Sequence, residues 1–164
     1  MVPIAHATSE SALPQMQGLG VGAGWFGGRV GRFEPVLDAD IRDFAAGGRN
    51  FAALTTHSRS GEARTHIMWI DADDEYLLVN TEVHRQKYRD VAADPRVTVT
   101  VWDAENPDRY IEIRGTVVGE ARGEEARSHI DRLSRRYTGA DYGAPIQSER
   151  VLLRIAPRKA YRKL

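Results

Sequence analysis

The sequence predicts a mainly β protein with a few helices, an α+β class, its antiparallel strands curled into a small barrel. Three observations carry this. Apolar and polar residues alternate in repeated short runs, as where Val97, Val99 and Val101 interleave with Thr98, Thr100 and Trp102; that is the period of a strand with one buried face. Polar turns ("RSGE", "DADDE", "AENPDR") join neighbouring runs at hairpin distance. Helical spacing is confined to a few stretches. A run of antiparallel hairpins with few helices suggests a barrel, which also removes exposed strand edges.

Residues 1–35 stand apart. "GLGVGAGWFGGRVG" is glycine-dense and lacks periodicity, which predicts an arm, either disordered or pinned to the body or a partner subunit by Trp25 and Phe26. Its G-x-G-x-x-G match, Gly22 to Gly27, has no strand before it and no helix after it, so it is no dinucleotide loop.

The domain proper spans 36–164. Leu37, Ile41 and Phe44 fall at helical spacing, with Asp38 or Asp40 near the start and Gly47–Gly48 as the stop. "NFAALTTHS", "ARTHIMWI" and "YLLVNT" read as three strands. A short helix near residue 86 follows, then strands at "RVTVTVWD" and "YIEIRGTVVGEA". In the latter, Ile111 and Ile113 alternate with Glu112 and Arg114. "EEARSHIDRLSRRY" is a helix with Ala126, Ile130, Leu133 and Tyr137 on one face, and "RVLLRIAPRKAYR" is the last strand. The predicted order is α β β β α β β α β.

Composition bounds the function. The chain has 164 residues, one domain's worth, and its 41% hydrophobic and 28% charged residues are an ordinary globular balance. The 23 basic and 23 acidic residues cancel, so no global field draws the protein to nucleic acid or anionic membrane. A barrel binding single-stranded nucleic acid would want net basic charge. Cysteine is absent, which excludes disulfides, thiolate nucleophiles and zinc–sulfur sites and makes the cytoplasm the expected address. No apolar run is long enough to span a bilayer, and the opening residues do not read as a signal peptide.

One local feature demands an explanation. His84, Arg85, Lys87 and Arg89 crowd the start of the short helix near residue 86, where the helix dipole is already positive, an unfavourable arrangement unless an anion sits there. The later helix is charged the conventional way, with Glu124 and Glu125 first and Arg135 and Arg136 last. Free backbone N–H groups with Arg and Lys side chains make a phosphate cradle. Arg85 and Lys87 point the same way only if the loop persists to about Arg85. Asn80 and Thr81, at the preceding strand's exit, are placed to touch the same ligand. The plainer reading is a solvated basic face.

The ordered set Asn80-Thr81 … Arg85-x-Lys87, then Asp94-Pro95-Arg96-Val97, "RYIEIRGTV" and a late "RVLLRIAPRKAY" resembles the split β-barrel flavin-binding proteins, a superfamily that includes pyridoxamine 5′-phosphate oxidase. More narrowly, it is similar to the actinobacterial branch of F420-dependent oxidoreductases, which use a deazaflavin. The likeness covers residues 36–162. It implies a homodimer with the cofactor in a groove between subunits. Arg85 and Lys87 would hold the cofactor phosphate, Thr81 and Asn80 the ribityl chain, and His66-Ile67-Met68-Trp69 would lie along the tricyclic ring. The Arg-rich clamp of the oxidase proper is missing from "RIAPRKAYRKL", which disfavours vitamin B6 oxidation.

The implied function is a coenzyme F420-dependent reductase passing a hydride to an electron-poor organic acceptor. The rivals are an FMN enzyme on the same barrel and a carrier that binds a flavin or a tetrapyrrole without turnover. A long acidic deazaflavin tail needs a basic path beyond one phosphate, for which Arg89, Arg59 and Arg64 are the candidates. His66 is the one candidate proton donor, against a plain reading as a satisfied polar residue. His57 and His66 on neighbouring strands would need further ligands to bind a metal, so no metal is expected. Trp102 reads as core packing, whereas Trp69 is open to a ring ligand. The "TGADYGAPIQ" loop is a lid or a surface connection. No G-x-S-x-G elbow supports a hydrolase.

Overall fold

The computed structural model describes residues 37–164; the arm read over residues 1–35 lies outside them. Helix α1 (Ala39–Ala46) buries Ile41 and Ala45 beside Leu37. The Asp40 carboxylate accepts the Ile41 N–H at 2.9 Å near its start, and the Gly47 N–H closes its end on the Asp43 carbonyl. Strands β1 (Phe51–His57) and β2 (Ala63–Trp69) form the first hairpin. The turn between them places Gly61 at φ +86°, a conformation that favours glycine. Strand β3 (Asp71–Ala72) and β4 (Leu77–Glu82) form a second, short pair. Helix α2 (Gln86–Ala93), β5 (Arg96–Trp102), β6 (Tyr110–Arg122), α3 (Gly123–Thr138) and β7 (Arg150–Lys163) complete the chain.

The predicted order is found with one addition. "DADDE" was read as a turn throughout, but its first two residues are β3. Asp71 is buried there and paired with Arg136 at 2.8 Å, so its composition signals a buried ion pair and not solvent. The turn proper starts at Asp73, whose carboxylate accepts the N–H groups of Glu75 and Tyr76.

All pairings are antiparallel, in one seven-stranded sheet of order β2-β1-β5-β6-β7-β4-β3. The long β6–β7 pair runs through the middle, and register shifts at Arg114/Gly115 and Val117/Gly119 bend it. The barrel expected to abolish edges is therefore a split one. Among the described residues β2 pairs only with β1, and residues 79–82 of β4 pair only with β7, so both strands keep an edge free of any other described strand.

Strand β5 buries Val97, Val99 and Val101, as its alternation requires, and Ile111 and Ile113 of β6 do the same. Trp102 is a correction to the sequence reading. It falls on the opposite face from Val101 and stacks on Phe51 at 6.3 Å between ring centres, half-buried outside the core. β4 and the start of β7 bury both faces: Leu77, Val79, Leu153 and Ile155 join the main core, while Leu78 and Leu152 pack with Ala121 and Ala126 near α3. Among the described residues no helix is long and apolar enough to cross a membrane.

The bend at Gly115 leaves no room for a side chain. A Cβ there would lie 2.7 Å from the Ala156 carbonyl oxygen and 2.8 Å from the Ile155 Cγ2. Gly115→Ala is expected to lower stability by about 1–3 kcal/mol, the usual penalty of overpacking. Urea unfolding monitored by tryptophan fluorescence measures this directly.

Candidate functional site

Helix α2 begins where the sequence reading put it. Arg85 is its N-cap in an extended conformation (φ −75°, ψ 146°), and the first turn contains no acidic residue. The nearest anion is supplied from within, a feature the reading missed. Glu82, the last residue of β4, is fully buried. Its Oε1 accepts from Arg85 Nη2 at 3.0 Å, and its Oε2 accepts the backbone N–H groups of Gln147 and Ser148 at 2.8 and 3.0 Å. Arg150 Nη1 stands 3.6 Å from Oε1. Burial alone would raise the Glu82 pKa, but the Ser148 and Gln147 amides and then Arg85 hold it below the ordinary glutamate range.

One carboxylate does not balance this neighbourhood. Lys87 has no ion-pair or hydrogen-bond partner among the described residues. Its pKa is pushed down, first by burial and then by Arg85 and Arg150. Such a lysine lowers its energy when an anion arrives.

Lys87 lines a pocket of about 330 Å3. Ile67, Met68 and Trp69 of β2 form one wall and Asn80 and Thr81 of β4 the other, so the free strand edges face a common space. Ile130 and Leu133 of α3 and Phe51 supply apolar surface, while Arg85, Lys87, Arg150 and Tyr142 complete the lining. Seven of the eight residues named from the sequence line this pocket; the eighth, His66, lines an adjoining groove with Lys87, Arg85 and Arg89. Through Arg89 that groove leads to a cleft lined by Arg59 and Arg64. Arg64 is tied to the buried Asp90 at 3.0 Å, whereas Arg59 and Arg89 carry no ion pair among the described residues.

The side chains differ in what they have left to offer. Thr81 Oγ1 and His66 Nε2 are buried without a hydrogen-bond partner among the described residues. Burial, then Lys87, lowers the His66 pKa, so its imidazole is neutral at pH 7. Asn80, by contrast, is occupied: its Nδ2 donates to the Ala126 carbonyl at 2.7 Å and approaches His129 Nδ1 at 3.2 Å, while its Oδ1 accepts from Arg150 Nε at 2.7 Å. Trp69 is stacked on Tyr137 at 5.1 Å and meets Tyr142 edge-on. His57 and His66 do not meet, because the register sets His57 opposite Ala63 and His66 opposite Leu54. Among the described residues no cluster of three metal-ligating side chains occurs.

The loop from α3 to β7 arches over this site and is fixed at both ends. The Tyr142 N–H is held by Asp131, and residues 147 and 148 by Glu82. Arg150 and Glu82 escaped the sequence reading because their partners are distant in the chain. Only the β4–β7 ladder, with Glu82 opposite Arg150, brings them together.

A depressed Glu82 pKa gives a stability contribution that is complete above about pH 4.3, the unfolded value, and is lost as pH falls through the folded one. Glu82→Gln strands Arg150, and breaking a buried pair this way costs about 3–5 kcal/mol at pH 7. The gap between wild type and Glu82→Gln should narrow as the pH is lowered from 7 to 3 in urea unfolding. A gap independent of pH would remove Glu82 as its source.

Comparison with known proteins places this geometry. The family model described as pyridoxamine 5′-phosphate oxidase matches residues 37–163. Among solved structures the chain is similar to an F420 reductase, with 27% identity over 74% of this chain and 96% of the other and a TM-score of 0.64. It is also similar to a conserved hypothetical protein from Mycobacterium tuberculosis, at 24% identity over 80% and 88% of the two chains and a TM-score of 0.60. The heme storage protein HutZ from Vibrio cholerae shares the fold alone, at 13% identity over 77% and 94% and a TM-score of 0.53. No curated protein matches in sequence. With its open seven-stranded sheet, its pocket between two strand edges and a family match that runs from α1 to the end of β7, the chain belongs to the pyridoxamine 5′-phosphate oxidase family.

Proposed function

We propose that this protein is a coenzyme F420-dependent reductase that passes a hydride to an electron-poor small organic acceptor in the cytoplasm. The observation that carries the reading is the uncompensated Lys87 lining a pocket walled by two free strand edges. The edges offer backbone N–H and C=O groups to the polar rim of a flat heterocycle, and the apolar side chains receive its body. A bound deazaflavin supplies the hydride; the chain's own part is to grip, orient and keep water out. Lys87 and Arg85 hold the phosphate, Thr81 Oγ1 meets the polar chain, and β2 from His66 to Trp69 runs beside the ring. His66, neutral and facing the adjoining groove, is placed as a hydrogen-bonding group there and not as a cationic acid. Arg89 and Arg59 extend positive charge beyond the phosphate, which suits a ligand with an acidic tail and favours F420 over FMN.

Titration of the purified protein with F420 and, separately, with FMN tests this. Tight F420 binding is expected, and Lys87→Ala should weaken it by about 10- to 150-fold, the value of one charge-assisted hydrogen bond. Tight FMN binding with no F420 binding would move the protein to the flavin branch. Undiminished binding in Lys87→Ala would remove the phosphate assignment.

We further propose a homodimer built on the outer face of the sheet. Ile67 is 62% exposed and Tyr161 57%. The pairings β2–β1–β5–β6–β7 align Ile67, Ala53, Thr100, Glu112 and Tyr161 in one cross-strand row. The row sets Ile67 and Tyr161, two exposed large hydrophobic side chains, on one face with Ala53, Thr100 and Glu112 between them, and exposed apolar groups of this size suit an interface. Ile67→Arg combined with Tyr161→Glu should halve the mass measured by light scattering, and a wild-type monomer would overturn the assignment.

A further inference from the structure

Arg150 is placed as a binding residue although no motif marks it. It opens β7 opposite Glu82 and is 7% exposed. Its Nε donates to Asn80 Oδ1 at 2.7 Å, and its guanidinium lies 4.7 Å from the centre of the Tyr142 ring. Its Nη1 is buried and donates to nothing among the described residues. The nearest carboxylate oxygen, Glu82 Oε1, is 3.6 Å away and already takes Arg85, while Oε2 takes two backbone amides. Glu82 is thus satisfied without Arg150, and a buried guanidinium with an idle N–H is costly unless a ligand completes it.

Three other elements, β3, α3 and β4, contribute to aiming this one group. Asp71 of β3 accepts from Arg136 and lies 3.3 Å from His129 Nε2. With Nε2 as the protonated nitrogen, His129 Nδ1 is a lone pair, and it receives Asn80 Nδ2. The Ala126 carbonyl takes Nδ2 as well, which forces Asn80 Oδ1 toward Arg150. Burial would raise the Asp71 pKa, but hydrogen bonds from His129 and Arg136 hold it below the ordinary value, so the chain keeps its charge at neutral pH. A guanidinium fixed at Nε and free at Nη1 is a preformed anion contact.

We propose that Arg150 donates through Nη1 to the same anionic group that Lys87 holds, with Thr81 Oγ1 as a third donor, and that Asn80 is a positioning residue for Arg150. All four line one pocket. The ligand class is a phosphate ester, its oxygens taken from the β7 side by Arg150 and from the α2 side by Lys87. The proposal rests on the reading above only for the presence of a phosphate, and it shifts Arg85 toward the internal task of pairing Glu82.

The test uses inorganic phosphate as the first probe, with affinity read by 31P NMR titration of the full-length protein, and F420 and FMN as the second. Arg150→Lys keeps the charge beside Glu82 but loses the fork; Arg150→Gln loses both, and circular dichroism with thermal melting checks that each variant is folded. Both are expected to bind phosphate at least ~10-fold more weakly, as loss of a charge-assisted bond requires. Asn80→Ala should weaken phosphate binding in the wild-type background and have no further effect in Arg150→Gln, a coupling that a merely structural role would not produce. Wild-type phosphate affinity in folded Arg150→Lys and Arg150→Gln overturns the proposal, as does a wild type that takes no phosphate. If phosphate binds and the variants lose it, but neither F420 nor FMN binds, the Arg150 assignment stands and the reductase reading falls.

Discussion

The buried carboxylate of Glu82 is the interaction on which the site depends. It stands at the end of β4 and gathers groups from three other places: Arg85 at the start of α2, the amides of residues 147 and 148, and Arg150 at the head of β7. A carboxylate taken out of water needs this many donors, because its desolvation is expensive and each missing bond would leave it uncompensated. The geometry that satisfies Glu82 also sets the entry of α2, the descent of the α3–β7 loop and the position of two cations beside the pocket. Pocket residues that look unrelated in the sequence are therefore placed by one internal ion.

The sheet explains why the pocket lies where it does. Register shifts bend β6 and β7 until the ends of the sheet approach, but the ladder never closes. Free edges are ordinarily a liability, since unpaired N–H and C=O groups invite another chain. Here β2 and β4 border a cavity rimmed by Tyr142, Arg85 and Arg150, so the unpaired backbone is put to use as a wall. The open side of the barrel and the pocket are the same feature, and closing one would remove the other.

Most of the fold was legible because it follows local rules. The valines of β5 and the isoleucines of β6 announce their buried face by alternation, and the glycines after α1 end it where expected. Misreadings arise where a residue's environment is set from far away. Asp71 looks like turn composition until Arg136 and His129, from a helix more than fifty residues later, arrive to bury it. Trp102 looks like core, but the parity of β5 sends it to the other face. Within the pocket, Lys87, Thr81 and residues 67–69 of β2, named from spacing and resemblance, come together. Glu82 and Arg150 were not named, since nothing local tells a partner across β4–β7 from an ordinary surface charge. Asn80 was read as a ligand contact; in the structure its amide is engaged by Ala126, His129 and Arg150.

Charge accounts for the division of labour among the cations. The whole chain is neutral, with 23 basic and 23 acidic residues, yet around the pocket Arg85, Lys87 and Arg150 face the single carboxylate of Glu82, and Arg89 lies just beyond. Many arginines elsewhere are matched, as with Arg96 on Asp94, Arg122 on Glu120 and Glu149, and Arg162 on Asp38 and Asp40. A surplus of charge in a partly buried site is costly to hold in the empty state, because the cations repel one another there. Under the proposed function an anion lifts that cost, and the repulsion that depresses the Lys87 pKa becomes affinity for a phosphate. Glu82 limits the repulsion without cancelling it, leaving the pocket stable enough to fold and positive enough to bind.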